Sequence, residues 1–407
     1  MNAPLSPQHL KQSLIARDEI ASRLRKIVQG EVLFDAASRG RYATDASIYQ
    51  IDPVGVLVPR GFDDVAAAID LCREMRVPLL ARGAGTSQCG QTVGAALVID
   101  NSKHLNQVVE LDLDAMTVTV EPGIVLDHLN AWLKPHGVWF PVDVSTAAQC
   151  TLGGMAGNNS CGSRSIAYGN MVHNVEAIDA VLADGTQARF TDEQSMAGAP
   201  ARIREIIGGL RAIAARERDE IAAHVPAVLR RVGGYNLDIY HPQNPRPYTE
   251  DGRVNLAHLL VGSEGTLAYT RRLVLKLSPL PRSKTLGVVN FPTFYQAMDM
   301  TQHIVKLGPC AVELVDSTMI ELARGNPAFR PVIDKAMIGS PEAILLVEFA
   351  GESRQEQLAR LAQLVELMAD LGLPGSVVEM PDAGPQKELW EVRKAGLNIM
   401  MSMKGDG

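Results

Sequence analysis

The chain has 407 residues, of which 46% are apolar and 21% are charged, and its formal net charge is −7. This length predicts two or three domains at about 150 residues each, and the apolar fraction excludes a largely disordered chain. The negative charge disfavours nucleic acid as a partner. The apolar runs are shorter than the roughly 20 residues of a membrane-spanning helix, and no secretory signal pattern opens the sequence. We therefore expect a cytoplasmic protein without a transmembrane segment.

The first 281 residues predict a mixture of helices and strands. In chain order we predict a helix over 8–29, a strand over 55–59, a helix capped by Asp63 and Asp64, strands over 77–81, 95–100, 107–111 and 116–121, a helix over 125–134, a glycine- and asparagine-rich loop over 151–169, and a hairpin that turns at Asp184-Gly185. The arginine-rich stretch 202–231 has helical spacing. It indicates either a solvated helix face or a docking surface for an electron acceptor or a further domain.

A proline-marked joint at 278–281 indicates a domain boundary. Beyond it, four strands over 286–291, 311–315, 343–350 and 376–380 alternate with helices, which predicts a ferredoxin-like sheet with helices on one face. The domains predicted from these changes are an N-terminal helical extension over 1–45, a second domain over 46–281 and a third over 282–407. The last five residues, 403–407, contain neither a closing element nor a tail, so we expect the third domain to be incomplete and the natural chain to continue.

The five cysteines do not suggest a metal or disulfide framework. They are Cys72, Cys89, Cys150, Cys161 and Cys310, and no C-x-x-C pair occurs among them. Such scattered residues are typical of reduced thiols rather than of disulfides, zinc ligands or iron-sulfur ligands. Any redox chemistry must therefore use another cofactor.

The strongest local signal is the segment R-G-A-G-T-S-Q-C-G over 82–90, which follows a predicted strand. Glycines let backbone N–H groups approach a pyrophosphate closely, and Thr86 and Ser87 add hydroxyl donors. The dinucleotide fingerprint G-x-G-x-x-G does not fit, because Gln88 occupies its third glycine position and a strand follows. The Walker A motif is excluded because no G-K-[ST] occurs.

Two further small-residue segments have similar chemistry. T-L-G-G-M-A-G-N-N-S-C-G covers 151–162, and V-G-S-E-G-T-L covers 261–267. Each segment alone is compatible with an ordinary turn. Three of them, all predicted at strand ends of one domain, are better explained by one long ligand that backbone groups surround.

The three segments together resemble the FAD domain of the vanillyl-alcohol oxidase type, also called the p-cresol methylhydroxylase type. They carry R-G-A-G-T-S-x-x-G, then G-G-M-x-x-N-x-x-x-G-x-R, then G-S-E-G-T-L. Within that family, residues 41–407 are most similar to the branch of D-lactate, glycolate and D-2-hydroxyglutarate dehydrogenases. The stretches 231–237 and 241–255 resemble long bacterial members in which the flavin part is fused to an iron-sulfur region.

The resemblance implies an α+β fold and a set of cofactor residues. The fold would be a two-subdomain FAD-binding domain of the p-cresol methylhydroxylase type, followed by an incomplete ferredoxin-like α+β substrate (cap) domain. The residues implied for FAD are Arg82, Gly83, Ala84, Gly85, Thr86, Ser87 and Gly90 at the pyrophosphate, Pro141, Asp143, Thr151, Gly153, Gly154, Asn158, Ser160 and Gly162 at the flavin and ribityl chain, and Glu264, Gly265 and Thr266 closing the site. Thr86 stands where some members carry the histidine that bonds the flavin, so we expect non-covalent FAD.

The resemblance also implies where the substrate binds. In L-W-E-V-R over 389–393, Arg393 matches the arginine that binds the substrate carboxylate through two parallel hydrogen bonds. From the pattern alone, the alternative is that Arg393 pairs with Glu391 or another surface acid on an amphipathic helix. The family's catalytic and metal-binding histidines lie in segments beyond Gly407, so the base is unassigned, and no metal site is expected among the dispersed histidines.

The function implied is oxidation of a D-2-hydroxy acid, of the D-2-hydroxyglutarate or D-lactate type, to the 2-oxo acid by hydride transfer to FAD. The electron acceptor would be a quinone, a cytochrome or an electron-transfer flavoprotein, and this acceptor could hold the protein at the periphery of the inner membrane. An iron-sulfur cluster is expected only in a missing C-terminal region. The alternatives are a flavin-binding fragment without turnover and an FAD alcohol oxidase that uses oxygen.

Overall fold

A computed structural model describes residues 7–401 of the protein, with side chains over 17–396. The end of the chain over 403–407, where the sequence shows no closing element, therefore lies outside the described residues. The chain forms two compact units. The first contains the residues up to Pro141, Thr146–Ser160 and Asn170–Ser278, and the second contains Val142–Ser145, Cys161–Gly169 and the residues from Pro279 onward.

The helices and strands are as follows. The helices are α1 (Pro7–Ile27), α2 (Ala36–Tyr42), α3 (Phe62–Met75), α4 (Leu126–Leu133), α5 (Leu152–Asn158), α6 (Ser165–Tyr168), α7 (Met171–Asn174), α8 (Ala201–Arg216), α9 (Arg218–His224), α10 (Ala257–Leu260), α11 (Phe294–Ile304), α12 (Ser317–Gly325), α13 (Arg330–Ala336), α14 (Arg354–Asp370) and α15 (Ala383–Met401). The strands are β1 (Glu31–Leu33), β2 (Gly55–Val58), β3 (Leu79–Arg82), β4 (Leu97–Asp100), β5 (Val108–Asp112), β6 (Thr117–Val120), β7 (Val138–Trp139), β8 (Val175–Val181), β9 (Gln187–Phe190), β10 (Tyr269–Lys276), β11 (Ser278–Pro279), β12 (Ser283–Phe291), β13 (Ala311–Asp316), β14 (Ala343–Gly351) and β15 (Val377–Met380). None of the helices within 7–401 is long and apolar enough to cross a lipid bilayer.

The first unit contains two sheets. One has the order β1-β2-β4-β3, with β2, β3 and β4 parallel and β1 antiparallel. The other is antiparallel, with the order β5-β6-β10-β8-β9. Helices α1 and α3 cover the first sheet, because Leu24, Val65 and Ala68 are fully buried against Leu57 and Leu97.

The second unit contains one antiparallel sheet with the order β13-β14-β12-β15. This is the strand order of a ferredoxin-like fold, as the sequence predicts. The predicted single helical face is wrong, since helices cover both faces. Alternate side chains of β12 explain this: Val288 packs towards α12, α13 and α15, whereas Val289 packs towards α11 and α14.

The predicted loop over 151–169 is wrong, because α5 and α6 occupy most of it. Helix α5 begins where the N–H groups of Leu152 and Gly153 donate to Ile124 O and Pro122 O. It ends at Asn159, whose left-handed backbone (φ +56°) lets its N–H donate to Ala156 O. Contacts with distant parts of the chain therefore outweigh the low helix propensity of glycine.

The predicted capping of α3 by two aspartates is also wrong. The helix begins at Phe62 without a side-chain cap. The carboxylate of Asp64 instead accepts the N–H groups of Gln29 and Arg60 at 2.7 and 2.8 Å. Asp64 therefore connects the start of α3 to the residue that follows α1 by two positions.

Candidate cofactor and substrate site

Strand β3 leads directly into the first glycine-rich segment. In the part of the chain that the structure describes, none of the backbone N–H groups of residues 83–90 donates a hydrogen bond to a protein acceptor. The segment contains no acidic side chain. These N–H groups are therefore available to an anionic ligand, as in other loops that bind phosphate through backbone amides.

Two glycines of this segment are required by close contacts. A Cβ at Gly83 would lie 2.0 Å from Oγ1 of Thr151. Gly85 has a left-handed backbone (φ +69°), and a Cβ there would lie 2.5 Å from Nη2 of Arg82. Neither position leaves room for a side chain, so the backbone itself forms the surface.

The side chain of Arg82 is committed to the protein. Its guanidinium donates to the carbonyl oxygens of Tyr42 (3.2 Å), Thr44 (2.8 Å) and Thr92 (3.1 Å). Its carbon also lies 5.3 Å from the centre of the Tyr42 ring. Arg82 therefore holds together the chain segments on either side of the glycine-rich segment.

The second segment is folded as α5 and lies against the first. Thr151, which precedes α5, is 3% exposed, and its Oγ1 lies where a Cβ of Gly83 would be. A Cβ at Gly154 would lie 3.3 Å from the same oxygen. At the other end of α5, Ser160 donates to Oδ1 of Asn158 at 3.0 Å.

The third segment is a turn that is hydrogen-bonded to α5. The N–H of Gly262 donates to Ala156 O, and the N–H of Glu264 donates to Gly157 O, both at 2.9 Å. Three residues of the turn have left-handed backbones: Gly262, Glu264 and Gly265. Oγ1 of Thr266 donates to Ser263 O, which closes the turn.

The carboxylate of Glu264 connects the three segments. Its Oε1 accepts Nδ2 of Asn158 at 3.0 Å and Nε2 of Gln91 at 3.3 Å. Gln91 follows the first segment directly and also accepts a short hydrogen bond from Ser87. The structure therefore brings together the three segments that the sequence predicts to share one ligand. Unpaired backbone amides, the absence of acidic side chains from the first segment and close-packed glycines fit a pyrophosphate-containing cofactor such as FAD.

Two of the predicted flavin-lining residues belong to the second unit, whereas Pro141 belongs to the first. Asp143 and Gly162 are in direct contact, because a Cβ at Gly162 would lie 1.9 Å from Asp143 O. The Asp143 carboxylate accepts Oγ of Ser163 at 2.6 Å, the N–H of Arg164 at 3.1 Å and Nη1 of Arg164 at 2.9 Å. The two short segments 142–145 and 161–169 are thereby joined.

Arg164 also forms a two-bond ion pair with Glu348 on β14, with both N–O distances at 2.9 Å. Glu348 is 1% exposed. Burial raises the pKa of Glu348, but the charges of Lys284 and Arg164 outweigh burial and hold the pKa below its usual value. Glu348 is therefore ionised at neutral pH. Sequence reasoning missed this pair, and the final arginine of N-x-x-x-G-x-R over 158–164 is the signal that could have found one half of it.

Arg393 lies on α15 in the second unit. Its Nε and Nη2 donate to one oxygen of Glu313 at 2.8 and 2.6 Å. The ion pair that the sequence left open as an alternative is therefore present, although with Glu313 on β13 rather than with Glu391 on the same helix. Nη1 makes no hydrogen bond to the described residues, so part of the guanidinium is available to a carboxylate ligand.

The histidines of the described region are not assembled into a metal site. Among residues 17–396 no group of three or more histidine, cysteine, aspartate or glutamate side chains could hold a metal ion. His173 and His258 are enclosed in the first unit, and burial lowers the pKa of each to about 4. Both are therefore neutral at physiological pH.

Sequence families agree with this geometry. Residues 53–191 match the family described as the FAD binding domain, and residues 280–406 match the family described as the C-terminal domain of FAD linked oxidases. The chain therefore contains an FAD binding domain and a C-terminal domain of FAD linked oxidases. The first matched region contains the first two glycine-rich segments and the second contains Arg393, whereas the turn at 262–266 lies between them.

Curated relatives cover most of this chain. A D-2-hydroxyglutarate dehydrogenase of Pseudomonas putida is 31% identical over 395 residues, which cover 93% of this chain and 38% of that protein. A probable mitochondrial D-lactate dehydrogenase of Danio rerio is 30% identical over 321 residues, which cover 77% of this chain and 54% of that protein. The chain thus spans about 38% and 54% of the lengths of these relatives.

The fold also has a counterpart among solved structures. An alkyldihydroxyacetonephosphate synthase structure superposes with a TM-score of 0.67 and covers 94% of this chain and 63% of that one. The sequence identity is 17%, so this likeness concerns the fold alone.

Proposed function

We propose that this chain is the FAD-containing part of an oxidoreductase that converts a D-2-hydroxy acid into the 2-oxo acid. The observation that carries the proposal is the meeting of the three glycine-rich segments around unpaired backbone N–H groups. The 31% identity to a D-2-hydroxyglutarate dehydrogenase over 93% of the chain supports the substrate class. D-2-hydroxyglutarate and D-lactate are the first candidate substrates.

The proposed cofactor residues divide by chemistry. Residues 83–87 and Gly90 offer backbone N–H groups to the pyrophosphate, and Arg82 holds their segment in place. The flavin and ribityl chain are lined by Pro141, Asp143, Thr151, Gly153, Gly154, Asn158, Ser160 and Gly162, and residues 264–266 close the site. We further propose the domain division of 1–45, 46–281 and 282–407, and non-covalent binding because Thr86 provides no nucleophilic imidazole.

Oxidation removes a hydride from the hydroxyl-bearing carbon and a proton from the hydroxyl group. FAD, when bound, supplies the hydride acceptor. Arg393 holds the substrate carboxylate, which fixes the reacting carbon and spares the reaction an orientational cost. We assign no residue of the described chain as the base.

The electron acceptor is proposed to be a quinone, a cytochrome or an electron-transfer flavoprotein. The proposed location is the cytoplasm, including its membrane periphery if the acceptor lies there. If the electron acceptor is not oxygen, turnover should produce little hydrogen peroxide. Steady peroxide production would instead favour an oxygen-using oxidase.

An anaerobic absorption spectrum tests the proposal. The purified chain loaded with FAD is measured before and after addition of D-2-hydroxyglutarate, D-lactate and their L-enantiomers. We expect an oxidised-flavin spectrum that bleaches with one D-acid and not with its L-enantiomer. A flavin spectrum that none of the acids changes would favour a flavin-binding part without turnover. A chain that binds no FAD would overturn the proposed site.

A further inference from the structure

Arg164 contacts three separate parts of the second unit. Its guanidinium forms the two-bond pair with Glu348 on β14 and a third bond to Asp143. Its carbon also lies 5.4 Å from the centre of the Trp390 ring on α15. One side chain therefore joins the segments 142–145 and 161–169, the central sheet and the last described helix.

The Arg164–Glu348 pair is buried, and further side chains contact Glu348. The side chain of Arg164 is 15% exposed and that of Glu348 is 2% exposed. Lys284 lies 3.6 Å from Glu348, and the Cys310 thiol donates to Glu348 at 3.2 Å. Burying such charges is costly, and removal of one partner typically destabilises a protein by about 3–5 kcal/mol. Two well-packed apolar side chains in place of a buried ion pair often stabilise a protein equally well or better. Stability by itself therefore does not explain why an ion pair occupies this position.

The helix that Arg164 contacts also carries Arg393. Residues three apart are neighbours on one helix surface, so Trp390 and Arg393 occupy adjacent positions on α15. The indole Nε1 of Trp390 is buried and has no acceptor among the described residues. The Trp390 ring therefore packs against an apolar cluster and contacts the guanidinium of Arg164, one helical turn before Arg393.

We propose that Arg164 is a positioning residue for Arg393. The Glu348 pair holds Arg164 against the sheet, and Arg164 holds the Trp390 face of α15, so that the Arg393 fork meets the substrate carboxylate in one orientation. Glu313 fixes the same guanidinium from β13. The inference rests on the proposed function, in which Arg393 binds that carboxylate. A misplacement of about 1 Å at such a group is enough to weaken binding and catalysis strongly.

The test measures binding of 2-oxoglutarate and pyruvate, the oxo acids that correspond to the two candidate substrates, to the FAD-loaded chain by calorimetry. The central variant is Arg164→Met combined with Glu348→Met, which removes both charges and leaves an apolar pair. We expect this double variant to fold, with a melting temperature lowered by the loss of the bonds to Asp143 and Lys284, and to bind both oxo acids at least tenfold more weakly. The matched control is Arg282→Met with Glu352→Met, an exposed pair with side chains 83% and 63% accessible, which should bind as the wild type does.

Trp390 provides a second test that does not depend on the folding of the double variant. Trp390→Leu removes the aromatic face that Arg164 contacts and should weaken binding of both oxo acids. Trp390→Phe keeps an aromatic face and should restore most of the affinity. If Arg164 contributed only to stability, the affinity for the oxo acids would fall in proportion to the melting temperature in every variant.

The outcomes separate this inference from the proposed function. If the wild type binds an oxo acid and Arg393→Gln does not, Arg393 has its proposed role. If the double variant or Trp390→Leu then bound the oxo acids as tightly as the wild type, the positioning role of Arg164 would be overturned. The carboxylate-binding role of Arg393 would stand. If the wild type binds neither oxo acid, or Arg393→Gln binds as well as the wild type, the proposed role of Arg393 fails and the inference fails with it.

Discussion

Gly83 and Thr151 form a very close contact in the candidate cofactor site. Thr151 is 3% exposed and precedes α5, so it has little freedom to move away from a Cβ 2.0 Å from its hydroxyl. Gly83→Ala should therefore displace the backbone of the first segment. We expect FAD to bind at least tenfold more weakly, measured by quenching of flavin fluorescence. Gly94→Ala is the matched control, because its Cβ would make only ordinary contact with Leu80 at 3.5 Å.

Thr86 is the basis for predicting that FAD is bound without a covalent bond. A threonine hydroxyl lacks the imidazole that bonds the flavin in some relatives of this type. Acid precipitation of the FAD-loaded protein should therefore leave all of the flavin in the supernatant, as measured by absorbance. Flavin that remained with the washed precipitate would contradict non-covalent binding.

Helix α5 shows how tertiary contacts can decide an element. Glycine and asparagine dominate 153–159, and local propensity predicts a loop there. In the fold, the same small residues let the helix approach Pro122 so closely that a Cβ at Gly153 would lie 2.6 Å from that ring. The small residues that predict a loop over 153–159 are thus the residues that allow α5 to pack closely against Pro122.

The sheet of the second unit leads to a prediction about stability. Gly287 lies in β12, and a Cβ there would lie 2.5 Å from Cδ2 of Leu364 on α14. Gly287→Ala should therefore overpack this face and lower the free energy of unfolding by about 1–3 kcal/mol in chemical denaturation.

The same substitution should act in the opposite direction on an exposed helix. Gly208 lies inside α8, and a Cβ there would meet nothing within 4 Å. Gly208→Ala should raise the free energy of unfolding by roughly 0.5–1 kcal/mol, since alanine loses less backbone entropy in a helix. Equal effects of the two substitutions would contradict the packing described for β12 and α14.

At the scale of the whole molecule, buried neutral histidines make stability depend on pH. The pKa of His258 is about 4 in the folded protein and near 6.5 when the chain is unfolded. The stability associated with neutral His258 is thus complete above pH 6.5 and is lost as the pH falls towards 4. The loss is on the order of 3 kcal/mol. Glu348, whose folded pKa is depressed, loses its contribution only below about pH 4.5.

Thermal melts between pH 7 and pH 4.5 test this assignment. The melting temperature of the wild type should fall over that range, and the fall should be smaller in His258→Gln. His224→Gln is the control, because the His224 side chain is 75% exposed. Identical pH profiles for the wild type and His258→Gln would contradict a role for this histidine.

Much of this protein is determined by features that lie close together in its sequence. The order of the three glycine-rich segments indicates the FAD-linked oxidase family, and the sequence families agree. The alternation of apolar residues and the helices between strands predict the ferredoxin-like sheet. Such features are readable because strand periodicity and glycine turns depend on neighbouring residues.

The tertiary structure alone decides which distant groups meet. Arg164 and Glu348 are 184 residues apart, and nothing in either local pattern indicates their pairing. The same holds for Glu313, which contacts Arg393 from 80 residues away, and for Glu264, whose carboxylate joins Asn158 and Gln91. These contacts arise from the packing of whole elements, which places side chains by position in space and not by spacing along the chain.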